Sequence, residues 1–231
     1  MMDNQSPHVP QVSVARGGSI TALMLNSVQP LLDSLSQNPR LWNLLRAFVE
    51  DGFRGEKEVI ERELAPWRDP GQRLYLDLGC GTGLFASCFP PGQYVGIDPA
   101  PHYVKYAVTD QPAAYAVMDG VGLGLRDASF DGAIVLGVLH HLPDTVVRGV
   151  VMELFRALKP GATLLVMEDI EPPNGSWNIA GRAMHWLDRG GFIRSDDDYH
   201  RLLAPEFVSH KRYPIRSGIC DYAVYVMERS R

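Results

Sequence analysis

The chain has 231 residues, 45% of them hydrophobic and 21% charged, enough to bury one substantial core and consistent with one domain plus a modest appendage. No run approaches the roughly 20 apolar residues of a membrane span. The N-terminus has no basic segment followed by a long apolar run, so it does not read as a secretory signal, and a cytoplasmic location is expected. A net charge of −5 gives no general attraction to phosphate backbones and argues against a nucleic-acid partner.

In chain order, residues 1–20 are polar and carry Pro7, Pro10, Gly17 and Gly18, the composition of a flexible segment. Over 21–69 apolar residues recur at helical spacing, first Leu31, Leu32 and Leu35, then Leu41, Leu44, Leu45 and Phe48, which predicts a cap of amphipathic helices. Asn38 and Pro39 mark the start of the second, as a cap followed by proline at the first position. Glu56 to Glu63 is expected to continue as a charged helical face. Three cysteines, Cys80, Cys88 and Cys220, form no CxxC pair and fit reduced thiols better than a disulfide framework or a zinc site.

From residue 70 onward the period changes. Short apolar runs at 73–78, 94–97, 114–117, 130–136 and 162–167 alternate with helix-compatible sequence, including a helix over 145–158 stopped by Lys159, Pro160 and Gly161. Apolar strands alternating with helices predict a parallel sheet covered on both faces. Two further strand-like runs at 210–215 and 221–227 predict a terminal antiparallel hairpin. The fold class expected is therefore α/β, a Rossmann-like sheet of seven strands over 70–231.

The most informative segment is LDLGCGTGL at 76–84, where glycines 79, 81 and 83 follow a strand and are expected to precede a helix. Glycine permits tight turns and removes the side chain that would block a close ligand, so a nucleotide-like cofactor is implied. Asp98, 19 residues after Gly79, ends the next strand, where a carboxylate can accept bonds from ribose hydroxyls. Asp119 ends the third, in reach of an adenine amino group. The dinucleotide fingerprint fails, because the third glycine it needs would fall at Leu84 or Ala86. Asp77 would repel a pyrophosphate, whereas a cationic or zwitterionic cofactor tolerates it.

These motifs, with FDGAIVLGVLHHLPD at 130–144 and LKPGATLLVMED at 158–169, resemble the class I S-adenosylmethionine-dependent methyltransferases, specifically their type 11 small-molecule group. The likeness covers roughly residues 73–168. It implies that Asp77, Gly79, Cys80, Gly81 and Gly83 surround the methionine part and the sugar, and that Asp98 binds the ribose. It also implies that Asp119, with Met118 and Gly120, lies at the adenine, and that Leu136 and Gly137 sit beside the cofactor. S-adenosylmethionine would be the cofactor and S-adenosylhomocysteine its product.

Methyl transfer requires alignment of a nucleophile and, where needed, removal of its proton. His140 and His141 follow the fourth strand, at the sheet edge where open α/β folds bind ligands, and titrate near neutrality. Either is a candidate base, with His141 preferred, and an oxygen nucleophile is favoured. The alternative is a role in shaping the loop. Glu168 and Asp169 end the fifth strand near the same cleft, and no metal is expected. Residues 171–206 form a predicted lid at the acceptor site, where Trp177, Met184, His185, Trp186, Phe192 and Tyr199 mingle with Arg182, Arg189, Arg194 and Arg201. The mixture suggests a small-molecule acceptor that is anionic and partly hydrophobic. Two other functions fit the same motifs: non-methyl chemistry on the same cofactor, and a non-catalytic cofactor-binding module.

Overall fold

A computed structural model describes residues 37–68, 71, 73–170 and 191–231. The expected flexible segment, the Leu31 stripe and most of the aromatic and arginine-rich insertion lie outside the described residues. The elements are α1 (Pro39–Val49), α2 (Arg54–Leu64), β1 (Tyr75–Leu78), β2 (Tyr94–Asp98), α3 (Pro101–Asp110), β3 (Ala114–Val117), β4 (Phe130–Leu136), α4 (Asp144–Ala157), β5 (Leu158–Asp169), α5 (Asp196–Leu203), β6 (Phe207–Ser217) and β7 (Cys220–Arg229).

The seven strands form one sheet in the order β3-β2-β1-β4-β5-β7-β6. β1 to β5 are parallel, and the β6–β7 hairpin joins antiparallel through β7 against β5. Alternation along β5 explains why its run is apolar throughout. Leu164 and Val166 face one core with Val150 and Leu154 of α4, while Leu165 and Met167 face a second with Ile60 of α2. Each such side chain buried contributes on the order of 1.5–3 kcal/mol. β5 starts earlier than expected, at Leu158, because the Lys159–Gly161 stretch is absorbed as an irregularity where Phe130 pairs Leu158 and Gly132 already pairs Thr163.

Among the described residues, α1 begins as the sequence predicts. The Asn38 carboxamide oxygen accepts from the amides of Arg40 and Leu41, with Pro39 at the first position. α2 is the expected charged helix, with Glu58, Glu61 and Arg62 exposed, but two of its acids turn inward. Glu56 is 3% exposed, and Glu63 binds Lys211 and Tyr213 of β6 at 2.7 and 2.9 Å. The acidic face turns toward the hairpin because Val59, Ile60 and Leu64 must pack on the sheet.

The helix expected after the glycine loop is also corrected. Only a 3-10 turn, Ala86–Cys88, forms between β1 and β2. Positive φ at Gly79, Gly81 and Gly83 bends the chain through the first third of this short connection, and Pro90, Pro91 and Gly92 (φ +78°) turn it into β2. The vacated surface is filled by Phe53, Phe85 and Phe89 together with α2, so the N-terminal helices complete a layer of the core.

Candidate active site

The carboxyl ends of β1, β2, β4 and β5 open into a cavity of about 640 Å³, roofed by α1 and flanked by the β7 end of the hairpin. It lies where open α/β sheets bind ligands, and its size is that of a small-molecule site. Of the residues predicted from sequence, Asp77, Gly79, Cys80, Gly81, Asp98, Leu136, Gly137, His140 and His141 all line it.

At the β1–β2 end, Asp98 is 8% exposed. Its two oxygens accept from the Gly81 amide at 2.9 Å and the Ala100 amide at 2.8 Å. Burial pushes its carboxyl upward, and those two amides pull it back. Each oxygen keeps a further lone pair. Asp77 is 2% exposed and accepts from the Tyr94 hydroxyl at 2.5 Å. Burial pushes it up to about 7, against the Tyr94 bond and with help from the Asp98 charge.

The three glycines do different work. A Cβ at Gly79 would stand 2.4 Å from Val138, so that glycine lets the β4 loop pack against β1. At Gly81 nothing lies within 4 Å of a Cβ, and a side chain there would project into open cavity. Gly83 does not line the cavity; a Cβ there would meet the Tyr115 hydroxyl at 2.4 Å, and a Cβ at Gly96 would meet the same ring at 2.8 Å. Tyr115 of β3 thus threads between two glycines, a packing role that glycine spacing alone could not reveal. Met118, whose amide bonds to the Asp98 carbonyl, Asp119 and Gly120 also lie outside the cavity lining. Asp119 is exposed, two residues past β3, and accepts from the Val121 amide at 3.3 Å.

The turn after β4 holds the histidines. His140 is 3% exposed, and its Nδ1 lies 2.8 Å from Glu168 Oε2, with Nε2 4.0 Å from Asp169 Oδ2. His141 is exposed at the cavity rim, its ring centroid 4.0 Å from that of His140. Glu168 lies behind the wall, wholly buried, and accepts the amides of Val138, Leu139 and His140 at 2.9, 2.8 and 3.2 Å.

Arg194 corrects an expectation. All five of its N–H groups are spent on the neighbouring turn, donating to the carbonyls of Leu139, Leu142 and Phe192 and twice to Asp144 Oδ1. It staples the histidine turn to the start of α4 and has no fork to offer an anionic acceptor. Asp144 is the first residue of α4, and its carboxylate binds Arg194. Tyr199, expected in the lid, is a core residue packed near Tyr225.

Sequence reasoning missed the far wall entirely. Arg46 of α1 pairs Glu50 at 2.8 Å over the Phe53 ring, and the Tyr222 hydroxyl of β7 donates to Glu50 at 3.0 Å. The Thr82 hydroxyl of the glycine loop donates to Asn43 of α1 at 2.8 Å. The Thr82–Asn43 and Tyr222–Glu50 pairs join residues 39 and 172 positions apart, and no local motif announces them.

A methyltransferase domain family model matches residues 76–166, the span from β1 to β5. Human Thiol S-methyltransferase TMT1B is 34% identical over 116 residues, 46% of this chain and 47% of that protein. The tRNA (carboxymethyluridine(34)-5-O)-methyltransferase of Arabidopsis thaliana is 33% identical over 98 residues, 42% of this chain and 24% of that protein. The chain thus spans about half, or less, of the length of these relatives. The solved structure of N-methyltransferase NodS from Bradyrhizobium japonicum WM9 with S-adenosyl-L-homocysteine superposes with a TM-score of 0.66 at 16% identity, covering 88% of this chain and 98% of that one. The open space over Gly81 and the unspent lone pairs of Asp98 suit the ribose of such a cofactor, and Asp77 suits its ammonium group. A methyltransferase domain thus spans β1 to β5 of this chain, and its strand order is that of the fold it shares with the S-adenosyl-L-homocysteine-bound neighbour.

Proposed function

We propose that this protein methylates the hydroxyl of a small, uncharged and largely apolar acceptor, with His140 as the general base. S-adenosylmethionine, when bound, supplies an electrophilic methyl carbon on a sulfonium. In this reading Asp98 and the Gly81 loop hold the ribose, and Asp77 faces the positive charge. α1 and the hairpin enclose the acceptor between Leu45, Val49, Phe53 and Ile170.

The observation that carries the reading is a buried imidazole at the cavity wall, with one nitrogen against a carboxylate and the other beside Asp169. With Nδ1 held by Glu168, the ring is placed so that Nε2 on the cavity side can take a proton from a hydroxyl. His141 has the weaker claim, because it is exposed at the cavity rim, its ring tilted against that of His140. Arg194 offers nothing to an anionic acceptor, Arg182 and Arg189 lie outside the described residues, and the described cavity wall carries Glu50, Asp169 and Asp221, with Arg46 paired to Glu50. The same acidity disfavours a nucleic-acid acceptor.

A thiol acceptor is the second reading, favoured by the likeness to the human thiol methyltransferase. Thiols ionise nearer neutrality than phenols or alcohols and need less help from a base. The test is a screen of phenols, alcohols and thiols with deuteromethyl-labelled cofactor, read by mass spectrometry, for wild type and His140→Ala. A labelled phenol or alcohol product that falls about a hundredfold or more in the variant supports the first reading. A thiol product insensitive to the substitution supports the second.

A further inference from the structure

The carboxylate of Glu168 touches no cavity surface, so binding an acceptor is not its task. A buried carboxylate is costly unless it is fully hydrogen-bonded, and an apolar residue at this β5 position would suit the core formed by its neighbours. The cost is offset by what the side chain reaches. Its Oε1 accepts the amides of Val138 and Leu139, and its Oε2 accepts the amide of His140 and meets ring Nδ1. Three consecutive amides at the mouth of the 139–141 turn would otherwise point into the core without partners.

Stapling the turn explains the three amides but not the fourth contact. Both oxygens are accepting, so the ring nitrogen at 2.8 Å is the donor, and a neutral imidazole that carries its proton on Nδ1 has its lone pair on Nε2. Nε2 is the nitrogen on the Asp169 side, at the cavity wall. The other titratable groups around the ring are Asp169 on β5, His141 on the same turn and, from α5, Tyr199, whose hydroxyl feels both Glu168 and Asp169.

We infer that Glu168 is the positioning residue of this site: it locks His140 in the tautomer whose Nε2 can receive a proton from the acceptor. The inference rests on the base role proposed for His140, and its test is chosen to be independent of turnover. Long-range proton–nitrogen NMR correlation on protein labelled at histidine reads the tautomer directly, at about pH 8, above the ordinary histidine range. Wild type should show His140 protonated on Nδ1 and bare on Nε2. Glu168→Gln presents an amide N–H₂ toward Nδ1 and should move the proton to Nε2, while Asp169→Asn should leave the tautomer unchanged.

A wild-type ring protonated on Nε2, an unchanged tautomer in Glu168→Gln, or a flip in Asp169→Asn each overturns the assignment. Should Glu168→Gln fail to fold, the wild-type and Asp169→Asn spectra still decide. With an acceptor in hand, Glu168→Gln should lower kcat about a hundredfold at unchanged KM for S-adenosylmethionine, whereas a mere staple would raise KM as the turn loosens. The two readings fail separately. Full turnover by His140→Ala removes the base role and leaves the tautomer assignment standing, and a wrong tautomer with turnover lost in His140→Ala does the reverse.

Discussion

The two ends of the cavity are built by different means. At the β1–β2 end the decisive contacts come from backbone: amides of Gly81 and Ala100 hold Asp98, and positive φ at Gly79 and Gly81 shapes the floor. At the far end they come from side chains of distant segments, Tyr222 with Glu50 and Ser217 with Glu56, beside the local Arg46–Glu50 pair of α1. A backbone-built site tolerates little change in local conformation but leaves the bound molecule's functional groups to be matched by a few acids. A side-chain-built site can be rewritten pair by pair, which is where relatives acting on sulfur, oxygen and nitrogen would diverge.

The comparison breaks most easily at Gly79. Gly79→Val combines a φ of +79° with a Cβ 2.4 Å from Val138 and should destabilise the fold by about 2–5 kcal/mol, from overpacking plus left-handed strain. Urea unfolding checks this, and an unchanged midpoint would mean the β4 loop has slack. Gly81→Ala is the sharper companion: with nothing within 4 Å it should cost only about 1–2 kcal/mol of stability while weakening the cofactor. Next comes Arg194→Ala, which strands three carbonyls and Asp144 and should cost about 2–3 kcal/mol in the same assay.

Asp98→Ala should leave unfolding nearly unaltered and weaken S-adenosylmethionine by about 1.5–3 kcal/mol, roughly ten- to a hundredfold. Asp77 makes a pH prediction. With its carboxyl raised to about 7, it is largely neutral below that pH and anionic above. Binding of a cationic cofactor should therefore tighten as pH rises toward 7, by at most about tenfold per unit, and Asp77→Asn should flatten the slope. Stability runs the opposite way, because the raised carboxyl favours the fold at low pH and that contribution is lost as pH climbs from about 4 through about 7. The smallest effect is expected at Glu56, raised to about 8 by burial, with its Ser217 bond opposing and Glu50 assisting. Its contribution is likewise lost between about 4.5 and 8, so Glu56→Gln should show a flatter stability profile across that window in thermal unfolding.

What was legible in the sequence follows the same division. All seven strands were found from apolar runs and turn residues, because a sheet covered on both faces writes its pattern locally. The glycine loop and Asp98 were found because their geometry is fixed within about 20 residues of chain. The missing helix after Gly83 was not foreseen: a 15-residue connection with two prolines reads as helix-compatible until the sheet spacing is known. Arg194 was read as an anion binder because guanidinium chemistry is visible in sequence and its five partners are not. The run from Glu56 to Glu63 read only as a charged helical face, because the partners of Glu56 and Glu63 arrive from the hairpin, some 150 residues later.

The most direct test of the account is calorimetric titration of the purified protein and its Asp98→Ala variant with S-adenosylmethionine, S-adenosylhomocysteine and NAD. Single-site binding of the first two by wild type, weakened in the variant, with no heat from NAD, is the predicted result. Binding of NAD in place of both, or equal affinity in wild type and variant, would contradict the assignment of the β1–β2 end as the cofactor site.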